Sequence, residues 1–371
     1  MIKYQDFQRR YPNAQTQILE ILAARVQQGD FILKQQVQNF EQVLATKVGA
    51  RHAVCVSSAT SGLTLSLIAS GIGPGDEVIT PAFCYVSAAS SIVQAGATPI
   101  FVDVAPHSGV LEAEAVVRAL TPRTRAVLVA HLFSGLADVD ALREALPDDV
   151  LILEDSATAF GARLRGRHAG TLGDIGVYSF FPAKPLGGIG DGGAVITDDD
   201  QVAGAVRMLR NHGQDGRRRF YHQRLGYNSR MDETNAAWLQ ARLRENDLHL
   251  ARKQAIAKAY DEAIEASDGV LLGQHRGTPD FSPHAYVVRS AERERLTRHL
   301  TARGIQTRVH FPVPLPEQPA FVQWSAGPAH YPNARLLGKQ CLALPLCSGM
   351  SDGQVSRVIE ALKEFSHAEV I

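Results

Sequence analysis

The sequence predicts an α/β protein, with a mainly parallel sheet in a three-layer large domain and a smaller α+β domain after it. Three observations carry this. Between about residues 50 and 155, short apolar runs alternate with helical patterns, which is how parallel strands joined by right-handed crossover helices read. Those runs are apolar on consecutive residues, as strands covered by helices on both faces must be. The 371-residue chain exceeds what one hydrophobic core usually serves, and its character changes near residue 235. The expected division is residues 1–240, an N-terminal arm plus the large domain, and residues 241–371, the small domain.

Taken in order, the segment before residue 35 reads as a helical arm. Residues 53–58 form the first strand and run through Ala59, Thr60, Ser61 and Gly62 into an amphipathic helix over 63–70. Gly71, Gly73, Pro74 and Gly75 end that helix. Residues 77–80 are the second strand, stopped by Pro81. Helix 86–95 leads to strand 99–103, helix 111–120 to strand 126–129, and helix 139–146 to strand 150–155. Residues 194–197 read as a further strand. Residues 236–262, rich in Ala, Leu, Arg and Lys, read as one long helix. Beyond it come strand 285–288, helix 292–302, an extended stretch 306–311 and helix 355–365.

Composition narrows the class. Hydrophobic residues make up 45% and charged residues 20%, and 38 Lys plus Arg balance 38 Asp plus Glu. A formal net charge of zero supplies no global field toward nucleic acid or an anionic membrane. The local cluster Arg217, Arg218 and Arg219 reads as a solvated loop. Cys55, Cys84, Cys341 and Cys347 show no Cys-x-x-Cys spacing, so no metal site is expected, and the usage fits a reducing cytoplasm. The first residues are polar from the fourth onward, unlike a secretion signal, and no apolar run approaches the ~20 residues that cross a bilayer.

Ligands of such folds bind at the carboxyl ends of the strands, where Ser58, Thr80 and Asp155 lie. Glu154 and Asp155 end an apolar strand, and a carboxylate there needs a compensating partner. A protonated heterocycle, a metal or a helix N-terminus could serve. On this segment alone, capping of the next helix is the simpler reading. Lys184 sits among Phe180, Phe181, Pro182, Pro185 and glycines, with no acid until Asp191. A desolvated lysine of this kind loses basicity and attacks carbonyls; the competing reading is a surface lysine lying along apolar neighbours. Gly188, Gly190 and Gly193 spell a dinucleotide-binding motif, but a strand rather than a helix follows, so that reading is rejected. Ser57 to Gly62, at a strand-to-helix junction, suits a phosphate, or is an ordinary Ser/Thr cap. Together a lysine, a carboxylate and a phosphate cup are what pyridoxal 5'-phosphate needs, and Tyr85 could stack on its ring.

The ordered set Gly71-Ile72-Gly73-Pro74-Gly75-Asp76-Glu77-Val78-Ile79, Gly173-Asp174-Ile175-Gly176, Ser179-Phe180-Phe181-Pro182-Ala183-Lys184, Gly190-Asp191-Gly192-Gly193, Arg210-Asn211-His212-Gly213, Gly226-Tyr227-Asn228-Ser229-Arg230-Met231 and Leu344-Pro345-Leu346 resembles the DegT/DnrJ/EryC1/StrS family of sugar aminotransferases. The resemblance runs from about Gly29 to the last helix and implies the type I PLP-dependent aminotransferase fold. It implies Lys184 as the Schiff-base lysine and Asp155 as partner of the pyridine nitrogen. Ser179, Thr60 and the backbone of Ala59 would hold the phosphate, and Tyr85 would stack on the ring. Asn228 would reach the phosphate of a neighbouring chain, making a homodimer with shared active sites. Arg230 and His310 would line the substrate pocket. The implied reaction moves an amino group from glutamate or glutamine to a keto-sugar, nucleotide-linked. The alternatives are a keto-cyclitol acceptor, a sugar dehydratase, which typically has histidine in place of Lys184, or a non-catalytic regulatory protein. Thr158 stands near the ring where the family usually has Gln. Pro185 stands in place of Asn, Asn235 of Gln, and Pro316 of His.

Overall fold

The computed structural model describes residues 1–133, 135–265, 271–272 and 282–367. The strands of the first part are β1 (His52–Val56), β2 (Glu77–Pro81), β3 (Thr98–Val102), β4 (Thr124–Ala130), β5 (Leu151–Asp155), a small hairpin of β6 (Arg163–Leu164) and β7 (Arg167–His168), β8 (Ile175–Ser179) and β9 (Gly193–Thr197). Seven of them form one sheet in the order β1-β9-β8-β5-β4-β2-β3. The pairs β2 with β3, β2 with β4, β4 with β5 and β5 with β8 are parallel.

Pairing at one edge differs from expectation. The first strand has no parallel neighbour: β1 pairs antiparallel with β9, which also runs against β8. The cause is local. Residues 180–192 return the chain from β8 to β9 without a crossover helix, and a connection that turns back at the same end of a sheet makes an antiparallel pair. That return is the segment carrying Lys184.

Alternating side chains build the layers. Val54, Val56, Val177 and Val195 pack with Leu63, Leu67, Ile92 and Val206 on one face. Ala53, Cys55, Tyr178, Ala194 and Ile196 pack with Phe40, Leu44, Trp238 and Leu239 on the other. The helices supplying the first face include α4 (Ala59–Ala69), α5 (Ser87–Gln94), α6 (Ala113–Arg118), α7 (Val139–Ala145) and α8 (Asp200–Leu209). They are preceded by α1 (Phe7–Arg10), α2 (Ala14–Gln28) and α3 (Gln35–Val48), and followed by α9 (Glu233–Leu243) and α10 (Asn246–Glu265). Helix α4 begins at Ala59, earlier than its apolar pattern suggests, and is buried at every position from Gly62 to Leu67 rather than along one stripe. It lies so close to the sheet that a Cβ at Gly62 would sit 2.8 Å from Val177.

The predicted long helix is two helices, α9 and α10, separated by a turn at Arg244 and Glu245. Trp238, Leu239 and Leu243 of α9 belong to a core of the large sheet, whereas Ile256, Tyr260 and Ile264 of α10 belong to the core of the second sheet. One straight axis cannot serve both. The second sheet has the order β10 (Leu271–Leu272), β11 (Tyr286–Arg289), β12 (Cys341–Leu344), all antiparallel, with α11 (Arg293–Ala302), α12 (Pro332–Gln340) and α13 (Asp352–His367). The extended stretch 306–311 makes only an isolated bridge, Arg308 to Ala343, before Phe311 turns the chain with φ 54°. The arm is helical as expected but is woven in: Ile2 is 1% exposed and bridges to Ile305.

Candidate active site

A cavity of about 760 Å3 opens at the carboxyl ends of β4, β5 and β8. Ala59, Thr60, Tyr85, Asp155, Thr158, Ser179, Lys184 and His310 all line it. Asn228 and Arg230 do not; Asn228 is exposed and bridges to Asn211, and Nη1 of Arg230 donates to Asn211 Oδ1 at 3.4 Å. Thr80, also at a strand end, is fully buried in β2 and takes no part in the wall.

One end of the cavity is the start of α4. Ser58, in extended conformation, caps the helix by accepting from the Ser61 amide at 3.1 Å. Ala59 and Thr60, whose amides begin the helix where no intrahelical acceptor is available, line the cavity. The Thr60 hydroxyl lies 2.6 Å from that of Ser87, and Ser179 ends β8 beside them. Gly193 is required here, since a Cβ would come within 2.6 Å of the Ala59 nitrogen.

Asp155 closes β5 and is buried. Its Oδ1 accepts from the Ala157 amide at 3.1 Å, so the capping reading holds for a turn, not a helix, and does not displace the ligand reading. Burial pushes its carboxyl above the usual range, opposed by the Ala157 amide, the Lys184 amine and His131. Its neighbour Glu154 points to the opposite face and is fully enclosed. It accepts from the amides of Gly170, Leu172 and Gly173, each at 2.7 Å, and from Nε2 of His131 at 2.8 Å. Because Nδ1 of His131 accepts the Ala137 amide at 3.2 Å, the imidazole hydrogen must sit on Nε2. Thr158, in the usual Gln position, turns its hydroxyl to the His131 carbonyl at 2.7 Å.

Lys184 is half-buried on the return between β8 and β9. Burial lowers the basicity of its amine, and Asp155 opposes that shift. Asp155 and Lys184 line the same cavity. A residue that the sequence did not reveal holds the lysine backbone: Arg10 of α1, 5% exposed, donates to the carbonyls of Lys184 (2.9 Å) and Pro185. Asn235 keeps the glycine run in place, accepting the Ile189 amide at 3.0 Å and donating to the Asp191 carbonyl at 2.9 Å. A Cβ at Gly188 would lie 2.4 Å from its Oδ1, so the run serves close packing rather than a dinucleotide.

The opposite wall is aromatic and basic. Phe133 and Phe311 stack with centroids 5.7 Å apart, and both carry positive φ (58° and 54°). Tyr85, 59% exposed, tilts against Phe311 at the rim. The Tyr4 hydroxyl lies 3.1 Å from Nε2 of His310, whose pKa is pushed down to about 4 by burial, then by Arg308 and Lys184. Only long-range packing joins these residues, so no local signal in the sequence could have found Tyr4 or Phe133.

A helix start free to take phosphate, a carboxylate between strands and an amine of reduced basicity together fit pyridoxal phosphate, on a fold that defines a type I aminotransferase. The DegT/DnrJ/EryC1/StrS aminotransferase family is matched over residues 12–363, and the chain belongs to it. It is similar to the dTDP-3-amino-3,4,6-trideoxy-alpha-D-glucose transaminase of Streptomyces venezuelae, at 38% identity over 98% of this chain and 96% of that one. Among solved structures, S. venezuelae DesV in complex with a ketimine intermediate gives a TM-score of 0.94 at 37% identity, covering 99% of this chain and 98% of that one. NtdA from Bacillus subtilis, with bound cofactor PMP, gives 0.88 at 26% identity, covering 96% and 83%. The protein is a pyridoxal-phosphate-dependent aminotransferase. No helix among the described residues is long and apolar enough to cross a membrane.

Proposed function

We propose that this enzyme moves an amino group from glutamate or glutamine to a keto-sugar carried on a nucleotide. The observation that carries the reading is the convergence of Lys184, Asp155 and the start of α4 in one cavity. Similarity to a dTDP-sugar transaminase supports the acceptor class.

The amides of Ala59 and Thr60, with the hydroxyls of Thr60 and Ser179, would hold the phosphate. Asp155 would keep a proton on the ring nitrogen, which is where its own buried charge finds compensation. When bound, the cofactor withdraws the electron pair left on the reacting carbon. Lys184 Nζ would hold the cofactor and would serve as the base at the donor carbon and the acid at the acceptor carbon. Its reduced basicity keeps part of the amine unprotonated below the pH at which an ordinary lysine would be. Lys184 disfavours a dehydratase of the kind that carries histidine there.

Asn228 and Arg230, outside their own chain's cavity and next to the exposed Phe220, Tyr221 and Leu225, fit a homodimer in which this segment serves the partner's site. The small domain would begin near residue 240, where packing passes from one core to the other. Four buried, unbridged cysteines accord with the cytoplasm.

The test is to mix holoenzyme with L-glutamate or L-glutamine, follow the cofactor absorbance, then add keto-sugar nucleotides or keto-cyclitols. We expect one amino acid to convert the cofactor and a keto-sugar nucleotide to restore it. Restoration by a cyclitol alone would replace the acceptor, and no conversion by any amino acid would overturn the reading.

A further inference from the structure

Among the described residues, one guanidinium in the cavity has no anionic partner. Arg308 lines the main cavity and also a second space of about 420 Å3 beside it, bounded by Met1, Gln306 and Thr301. Its backbone is fixed on β12, donating to the Ala343 carbonyl at 3.0 Å and accepting the Ala343 amide at 2.8 Å. The side chain is exposed, with the guanidinium carbon 5.2 Å from the centroid of the Tyr4 ring. An aromatic face orients a guanidinium without neutralising it or using up its fork of donors. Tyr4 is itself anchored, being 7% exposed, with its hydroxyl on His310.

Among the described residues, no carboxylate pairs with Arg308 and no acceptor meets its side chain. Arg165, Arg210, Arg252 and Arg303, by contrast, each reach an acid. The two acids of the main cavity, Asp155 and Asp191, make no ion pair with it. Arg308 is near enough to His310 for its charge to be felt there, as is Lys184. A guanidinium and an amine that line one cavity with His310 would together suit a small molecule that reacts at one end and carries negative charge at the other.

The geometry points to an oxyanion subsite in which Arg308, oriented by Tyr4, takes a carboxylate or phosphate carried by a substrate. This rests on the proposed function and deepens it. The anion has two sources, the side-chain carboxylate of the amino donor or the diphosphate of the acceptor.

Calorimetric titration of holoenzyme with glutarate, which has the donor's carboxylates but no amine, and separately with dTDP and UDP, distinguishes them. Arg308→Gln should weaken one class of probe at least about tenfold, the loss expected for a charged hydrogen bond, and Arg308→Lys should recover part of it. Loss with glutarate assigns the donor, and loss with the nucleoside diphosphates assigns the acceptor. Binding within twofold of wild type for every probe overturns the subsite, as does a wild-type protein that binds none of them. The proposed function is judged separately by the absorbance change with amino acids. A protein that converts its cofactor but ignores the Arg308 substitutions loses only this inference. Because the side chain is exposed, both substitutions should leave the fold intact, and circular dichroism checks this.

Discussion

The large-domain wall of the cavity is made of strand ends and one helix start, whereas the facing wall is made of turns from the small domain and the first residues of the chain. On the first wall three groups are tethered by named bonds: Asp155 to the Ala157 amide, Thr158 to the His131 carbonyl, Thr60 to Ser87. Behind it, Glu154 gathers three amides and an imidazole. On the second wall Tyr4, Arg308, His310 and Phe311 meet through ring contacts and one hydrogen bond. A seam joins them where Phe133 and Phe311 stack, both in a backbone region that costs a non-glycine residue about 1–3 kcal/mol. Under the proposed function the contrast would be a division of labour, with a hydrogen-bonded surface for the cofactor chemistry and a ring-lined one for the substrate.

The largest effects should therefore arise on the first wall. On the proposed function, Lys184→Ala should lower amino transfer by about 10^4-fold or more, through loss of both the attachment point and the base. Asp155→Asn should cost about 10^2 to 10^3-fold in kcat, as for loss of one preorganised electrostatic partner. Single-turnover absorbance measures both, and near-normal rates in either variant would break the division.

Glu154→Gln tests whether that wall is preset by the buried network. It turns an all-acceptor carboxylate into an amide amid four donors, leaving at least one unsatisfied, so we expect about 1–3 kcal/mol of destabilisation by urea unfolding. An unchanged midpoint would show that the network carries no such weight.

On the other wall, Phe311→Ala should raise the acceptor KM about three- to tenfold with kcat little changed, the worth of an aromatic pair. A fall in kcat as large as that for Asp155→Asn would erase the distinction between the walls.

The smallest effect is a pH slope in stability. His310 is held near 4, below the ~6.5 of an unfolded histidine, so the folded state binds fewer protons between those values. Its contribution is complete above about pH 6.5 and is lost as pH falls toward 4. His168 and His249, also pushed down to about 4, act in the same direction. The melting temperature should fall from pH 7 to pH 5, and His310→Asn should flatten part of that slope. An identical slope in the variant would show that His310 is not the titrating group.

Sequence alone brought out the strand ends, the lysine segment and the helix start, because each is local: an apolar run, a polar terminus, a glycine string. It also marked Thr158 as a departure, though not that its hydroxyl would turn to the His131 carbonyl. The β1 pairing escaped, because pairing partners are chosen by distant strands, and β9 lies almost 140 residues further on. So did the break between α9 and α10, which follows from two cores that neither helix encodes by itself.

What the sequence by itself determined is the family and the local segments that build the first wall, since residues held within one strand–loop–helix unit need no other part of the chain to be recognised. The tertiary structure alone decided what faces them. Arg10 reaches the carbonyls of Lys184 and Pro185 across 174 and 175 positions, and Tyr4 meets His310 across 306. Such contacts depend on where whole elements pack, and packing is set by the summed burial of both cores rather than by any short run of residues.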